Sequence, residues 1–256
     1  MSKLTVEIVA LTAIFFLEGW FPLFQGRSNR IRHGLTNISF GIINGLFVSL
    51  VFSHITVFTI NWTKENSFGL LNFAHQPVFL KSIFAFVLFD LWMYLWHVAN
   101  HNLPFFWRFH RIHHTDLEMD VTTALRFHTG EIFLSSLVRL IIIPLIGMDL
   151  THLFIYELCL QPVILFHHSN IALPEKWDRM MRAIFVTPNM HRVHHSQVNT
   201  ETNSNYSSIF SPWDRIGRTF RKREEPKTIV FGLEQFKDKD WQDFLGMLKT
   251  PFVDVE

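Results

Sequence analysis

A single cysteine, Cys159, in 256 residues rules out an intrachain disulfide framework and any multi-cysteine zinc or iron–sulfur site. Acidic side chains are nearly missing from the first hundred positions, where only Glu7, Glu18, Glu65 and Asp90 occur. No GxGxxG fingerprint, flavin motif or CxxC pair is present, so the chain carries no recognisable electron supply of its own. HExxH, the usual zinc-hydrolase helix, is also absent. A net charge of +1 gives no reason to expect nucleic acid as a partner. There is no internal repeat and no low-complexity segment.

What is abundant is apolar surface and histidine. Phe alone accounts for 28 residues. Apolar stretches run over 5–24, 35–60, 78–98 and 131–166, and about 20 helical residues cross a bilayer. The first holds Glu7 and Glu18 and reads as a retained helix; a signal peptide fits less well, since a basic start and a small-residue cleavage site are lacking. The last is interrupted by Pro144, Gly147 and Asp149. Pro144 is expected to end or kink its first half and Asp149 to cap its second. The predicted fold is therefore all-α: a membrane helical bundle of about four spans, or three plus a helical hairpin, with a helical cap.

Loop charge sets the expected orientation. Arg27, Arg30 and Arg32 follow the first stretch, whereas 61–77 holds only Lys64 beside Glu65. The 25–34 loop is thus expected to be cytoplasmic, and the ends of the later stretches return to that side. Beyond residue 170 the chain is more polar. EKWDRMMRAIF (175–185) has helical spacing and reads as a helix on the membrane surface, over a lipid entrance, or packed in the ordinary way. RKREE (221–225) reads as a solvated loop and DWQDFLGML (240–248) as a last amphipathic helix.

Of 15 histidines, 12 lie between His97 and His195. HVANH places His97 and His101 four apart on one helical face; HRIHH places His110, His113 and His114, and the later HRVHH places His191, His194 and His195, each set toward what is expected to be a common target. One isolated histidine is ordinarily structural. Eight at chelating spacing exceed the ~4 ligands of a single zinc site, and imply two metal ions. His33, His54, His75 and His152 are read as structural. Asp90 lies seven residues before His97, on the same helical face, and is read as a carboxylate steadying a ligand imidazole.

HxxxH…HxxHH…HxxHH among apolar spans resembles the membrane histidine-box family of fatty acid hydroxylases and sterol desaturases. DLWMYLWHVANH, LPFFWRFHRIHH, LRFHTGE, HHSNIALP, TPNMHRVHHS and NSNYSSIFSPWDRIGRTF resemble family segments in order, over about 80–220. The resemblance implies His128 and His168 as further ligands, with His167 the weaker of the adjacent pair and Thr129 standing where the family has proline. It also implies two iron ions, O2 as co-substrate and a membrane lipid (sterol, fatty acyl or related) that is hydroxylated or desaturated. Glu131, Asn205 and Asp214 are candidate supporting residues, so that Asp90, Glu131 and Asn205 complete the expected site. Imidazoles alone do not select the metal, and zinc can displace ferrous iron on overexpression. Electrons are expected from an external reductase, cytochrome b5-like or ferredoxin-like donor. The expected regions are membrane spans (1–77), a histidine-box catalytic unit (78–220) and a cytoplasmic tail (221–256). The expected location is an integral membrane position, the bacterial inner membrane before the endoplasmic reticulum, with the site on the cytoplasmic side. The competing reading is a zinc-dependent membrane hydrolase; a metal transporter or a non-catalytic protein accounts less well for ligands gathered at one face.

Overall fold

The computed structural model describes residues 2–27, 29–73 and 77–254, so His75 lies outside the described residues. Among these the chain is helical, with only three isolated bridges and no strand. The order is α1 (Lys3–Trp20), α2 (Arg30–Val51), α3 (Ser53–Glu65), α4 (Val78–Asn102), α5 (Pro104–His114), α6 (Thr129–Ile146), α7 (Leu150–His168), α8 (Glu175–Met181), α9 (Pro188–His194), α10 (Asn199–Thr202), α11 (Pro212–Ile216) and α12 (Phe244–Lys249).

Among the described residues four helices, α2, α4, α6 and α7, are long and apolar enough to cross a membrane. α1, expected as a span, falls outside this set because it carries Lys3, Glu7 and Glu18. Glu18 is buried rather than lipid-facing: it accepts from Arg30 (2.7 Å) and from the backbone N–H groups of Val121 (3.0 Å) and Asn170 (2.8 Å). α1 is thereby tied to the 3-10 turn Val121–Leu125 and to the end of α7. The 35–60 stretch divides at Phe52 into α2 and α3. There the Ser53 hydroxyl donates to the Ser49 carbonyl (2.6 Å), a back-bond that commonly bends a helix.

The 131–166 stretch is a helical hairpin. Pro144 neither ends α6 nor stops its last turn; Gly147, at φ 85° and ψ 36°, ends it in the left-handed conformation that glycine adopts freely. A Cβ at the neighbouring Gly69 would lie 2.2 Å from the Pro144 carbonyl, so the loop before α4 and the hairpin tip meet backbone to backbone. Asp149 caps α7 by accepting from the His152 N–H (2.9 Å).

The main apolar core fills the space between α3, α4, α6 and α7, with Ile60, Phe89, Trp92, Ile143, Tyr156 and Leu160 at its centre. Within it sits Asp90. Its carboxylate accepts from Tyr156 Oη (2.8 Å), Trp213 Nε1 (2.8 Å) and the N–H groups of Ile209 (3.3 Å) and Phe210 (3.1 Å). Four donors on one buried acid clamp residues 209–213 along α4. Asp90→Ala leaves those donors unpaired and should lower stability by about 3–5 kcal/mol, with Asp90→Asn milder at about 1–2 kcal/mol. The midpoint of detergent-induced unfolding measures both.

Candidate metal centre

Chain breaks aim the histidines. α4 ends where Leu103 turns extended (ψ 115°), and Pro104 at the first position of α5 restarts the helix in a new direction. α9 begins at Pro188 behind Thr187, whose hydroxyl accepts from the Met190 N–H. The ends of α4 and α7, with α5 and α9, then bring nine imidazoles together as two groups: His97, His101, His110, His114 and His194 in one, His113, His168, His191 and His195 in the other. Ligand atoms within each group all lie within 4.8 Å of one another.

Each HxxHH is therefore divided, contrary to a common target for its three members. His110 and His114, four apart, enter the first group and His113 the second; His191 and His195, four apart, enter the second and His194 the first. Adjacent helical residues point about 100° apart, so consecutive histidines cannot face the same ion while the i, i+4 pair can. The two boxes exchange their middle histidines, which interlocks the groups.

Tautomers are set from outside. His97 Nδ1 donates to the Tyr206 carbonyl (2.8 Å), His194 Nδ1 to that of Ser204 (2.7 Å) and His168 Nδ1 to that of Ile164 (2.8 Å). Neutral imidazoles held this way turn the Nε2 lone pair inward, as metal-ligating histidines do. His168 Nε2 lies 3.0 Å from both His113 Nε2 and His191 Nε2. Two nitrogens about 2.1 Å from one ion at a right angle are about 3.0 Å apart. Nε2 of His101 and of His194, and both nitrogens of His114, are buried without a partner. The donor set thus fits two divalent metal ions. Burial first, then the other imidazoles, pushes the pKa of His113, His114, His191, His194 and His195 well below the usual histidine range, which keeps them neutral and able to ligate.

The remaining expected residues fall at different places. Glu131 Oε1 accepts from His110 Nδ1 (2.8 Å) and Asn100 Nδ2 (3.3 Å), at the first turn of α6. Asp90 makes no bond to His97; the 205–213 segment lies between, and supplies the carbonyl that does. Asn205, at φ 54°, reaches no ligand: its amide bridges the Met190 and Arg221 carbonyls, and its Oδ1 accepts from the Arg221 N–H (2.8 Å). Asp214, whose pKa burial raises, accepts from the N–H groups of Tyr206 (2.7 Å) and Ser207 (3.0 Å). His128 stands outside both groups, accepting from Gly130 N–H (2.9 Å) at Nδ1 and facing the Leu248 carbonyl (3.3 Å) through Nε2. His167 belongs to neither group but lies against His191, ring centroids 4.1 Å apart and planes tilted by 36°. Sequence reading missed the carbonyls of Ser204 and Tyr206 because a backbone acceptor leaves no residue-type signature.

A cavity of about 90 Å³ opens against both groups, walled by Met93, Trp96, Phe127 and Ile164. Met93 and Ile164 each precede a ligand, His97 or His168, by one helical turn, so the cavity lies on the membrane-core side. Glu131 lines it as well, with Oε2 buried and unpartnered. Glu131→Gln keeps the shape but weakens the acceptor for His110, and should cost about 10–100-fold in metal affinity. Competition of the purified variant with a chromogenic chelator measures the loss.

Residues 82–219, just over half of the chain, match the fatty acid hydroxylase family. Ornithine lipid hydroxylase OlsE of Rhizobium tropici is 28% identical over 177 residues, 69% of this chain and 51% of that protein. Alkylglycerol monooxygenase of Homo sapiens is 26% identical over 239 residues, 91% of this chain and 50% of that protein. Cholesterol 25-hydroxylase of Homo sapiens is 23% identical over 171 residues, 61% of each chain. The chain spans about half the length of the first two relatives. No solved structure matches it. All three histidine boxes lie inside the matched span and supply eight of the nine converging imidazoles; the chain belongs to the fatty acid hydroxylase family.

Proposed function

We propose that this protein is an integral-membrane oxidoreductase that uses O2 and two iron ions to hydroxylate a C–H bond of a membrane lipid. The observation that carries this reading is the pair of interlocked imidazole groups, with lone pairs turned inward, beside an apolar-walled cavity on the membrane-core side. His97, His101, His110, His114 and His194 would hold one ion, and His113, His168, His191 and His195 the other. When bound, the ions supply the redox chemistry that activates O2 toward an unactivated C–H bond.

The chain's own part is placement and exclusion. Met93, Trp96, Phe127 and Ile164 seat hydrocarbon against the imidazoles and keep water out. Glu131 steadies His110 through Oε1 and can hold a proton at the free Oε2 on the cavity wall. Hydroxylation is preferred to desaturation because the named relatives are hydroxylases and monooxygenases. Their substrates differ from one another, so the proposal is a lipid C–H bond and goes no further. Electrons come from a separate donor protein. The cap faces the cytoplasm, on the side of Arg27, Arg30 and Arg32, in a bacterial inner membrane.

Protein purified in detergent from iron-supplemented cells should carry about two iron ions per chain and show reductant-dependent O2 uptake stimulated by membrane lipid. His194→Ala and His113→Ala each remove a ligand from a different group, so each should lower the iron content and abolish uptake. Zinc in protein from unsupplemented cells is expected, since zinc outcompetes ferrous iron at imidazole sites. An iron-loaded protein inert toward O2 with every reductant, whose zinc form cleaves an ester or amide, would establish the hydrolase instead.

A further inference from the structure

The cap contains a helix whose polarity is inside out. In α8 and the turn that extends it, Asp178 and Arg182 point inward and pair with each other: Asp178 is fully buried and Arg182 8% exposed, with Arg182 also paired to Glu175 (2.7 Å). Trp177, Met180 and Ile184, on the outward face at helical spacing, are 50%, 60% and 55% exposed. The helix thus buries its ion pair and shows its large apolar side chains, the reverse of a helix packed on a water-soluble core. Helical bonding continues past α8, with Phe185 N–H donating to the Met181 carbonyl (2.8 Å).

Neighbouring structure extends this face. Phe185 pairs with Phe210, ring centroids 6.0 Å apart, and Phe210 meets Phe86 of α4 at 5.7 Å. Ser211 N–H donates to the Ile184 carbonyl (3.0 Å), and Ile216 of α11, 72% exposed, follows. Phe86 lies eleven residues before His97 on a helix long and apolar enough to span and, with Phe210, packs against the main apolar core, so the segments bearing the exposed face are anchored on α4. Around the apolar residues stand Lys176, Arg179, Arg215 and Arg218, all exposed. Among the described residues Lys176, Arg179 and Arg218 have no carboxylate partner, while Glu175, Asp178 and Asp214 of the same segments are engaged with protein groups.

We infer that residues 176–185 and 216–218 form a docking surface for the bilayer itself, with Trp177, Met180, Ile184 and Ile216 sunk below the headgroups of anionic phospholipid and Lys176, Arg179 and Arg218 at the phosphate level; Arg215 is held by Ser211 Oγ and the Arg182 carbonyl. The charge selects the occupant: apolar side chains ringed by unpaired cations match an anionic membrane surface. The surface rests on α4 spanning the membrane and is independent of the proposed chemistry. Val186 N–H bonds to the Ile209 carbonyl (3.0 Å), and Ser207 and Ser208 line the cavity, so docking holds the cavity's outer strap at the membrane.

The test uses the full chain in nanodiscs, in a Cys159→Ser background, with a nitroxide at Met180→Cys and, as a water-exposed control, at Lys239→Cys. Collision with O2 and with a water-soluble nickel chelate reads immersion without any catalytic assay. In phosphatidylglycerol discs the label at 180 should meet O2 several-fold more, relative to nickel, than the label at 239. That ratio should fall in phosphatidylcholine discs and in the Lys176→Gln/Arg179→Gln/Arg218→Gln variant. Equal ratios at 180 and 239 overturn the docking. A high ratio indifferent to lipid charge and to the three cations overturns the anionic surface. Shielding of the 180 label from both reagents, growing with the number of chains per disc, overturns the lipid in favour of a second copy.

Discussion

Everything else in this structure depends on holding nine imidazoles, seven of them buried and those of His97 and His101 half-buried, with their ligand nitrogens facing one another. Left without an ion, each inward nitrogen is a buried polar atom lacking a donor, at a cost of about 1–3 kcal/mol apiece. Protonation is no escape, because burial and the neighbouring rings oppose a positive charge on His113, His114, His191, His194 and His195 alike. Four of the rings, His168, His194, His97 and His110, are held from behind at Nδ1, by the carbonyls of Ile164, Ser204 and Tyr206 and the carboxylate of Glu131. An ion entering this cage removes the cost that the cage imposes, so metal binding and cap stability are coupled.

The carbonyls are in turn held by buried acids. Asp214 binds the N–H groups on either side of the Tyr206 carbonyl, and Asp90 binds those of Ile209 and Phe210 a few residues on. Glu18 likewise binds the N–H groups of Val121, at the start of the 3-10 turn, and of Asn170, just past the end of α7 and next to the second group. On the opposite flank Asp116 takes His33 (2.8 Å) and Thr123 (2.7 Å), and although burial would raise its pKa, His33 and Arg126 hold it well below the carboxylate range. Arg126 and Gln242 carry that network to the C-terminal segment, where Gln242 donates to the Thr115 carbonyl (2.9 Å) just past the second histidine box. Acids inside apolar sequence are thus structural fasteners joining membrane helices to cap, each satisfied by several donors, as burial of a charge requires.

Legibility of the site follows from which interactions are local. The i, i+4 pairs His97/His101, His110/His114 and His191/His195 can be read from spacing, because helix geometry alone puts them on one face. The exchange of His113 and His194 between groups cannot, since it depends on how α5 and α9 meet. Helical register places Asp90 on the His97 face, but residues between 206 and 213 take the hydrogen bonds of both. His128 carries a flanking motif, yet its ring caps α6. The spans were legible by apolar length. The break at Phe52 was not, because it arises from a serine back-bond rather than from proline or glycine, and α1 misled because its burial of Glu18 needs partners 103 and 152 residues away.

The two groups also stand between two different environments. The cavity beside Met93, Trp96 and Ile164 touches His97, His110, His113, His168 and His191 from the membrane-core side. A separate polar cleft of about 570 Å³, lined by Trp107, Asn199, Asn203 and Gln235, reaches His101, which does not line the first cavity. Trp107 there lies 4.9 Å from the His101 ring and 5.4 Å from that of His114. A lipid hydroxylase must bring hydrocarbon and electrons to one place without letting water follow the hydrocarbon. On the proposed reading the histidine wall meets that requirement by position: the chain enters through apolar surface and the donor addresses the polar cleft.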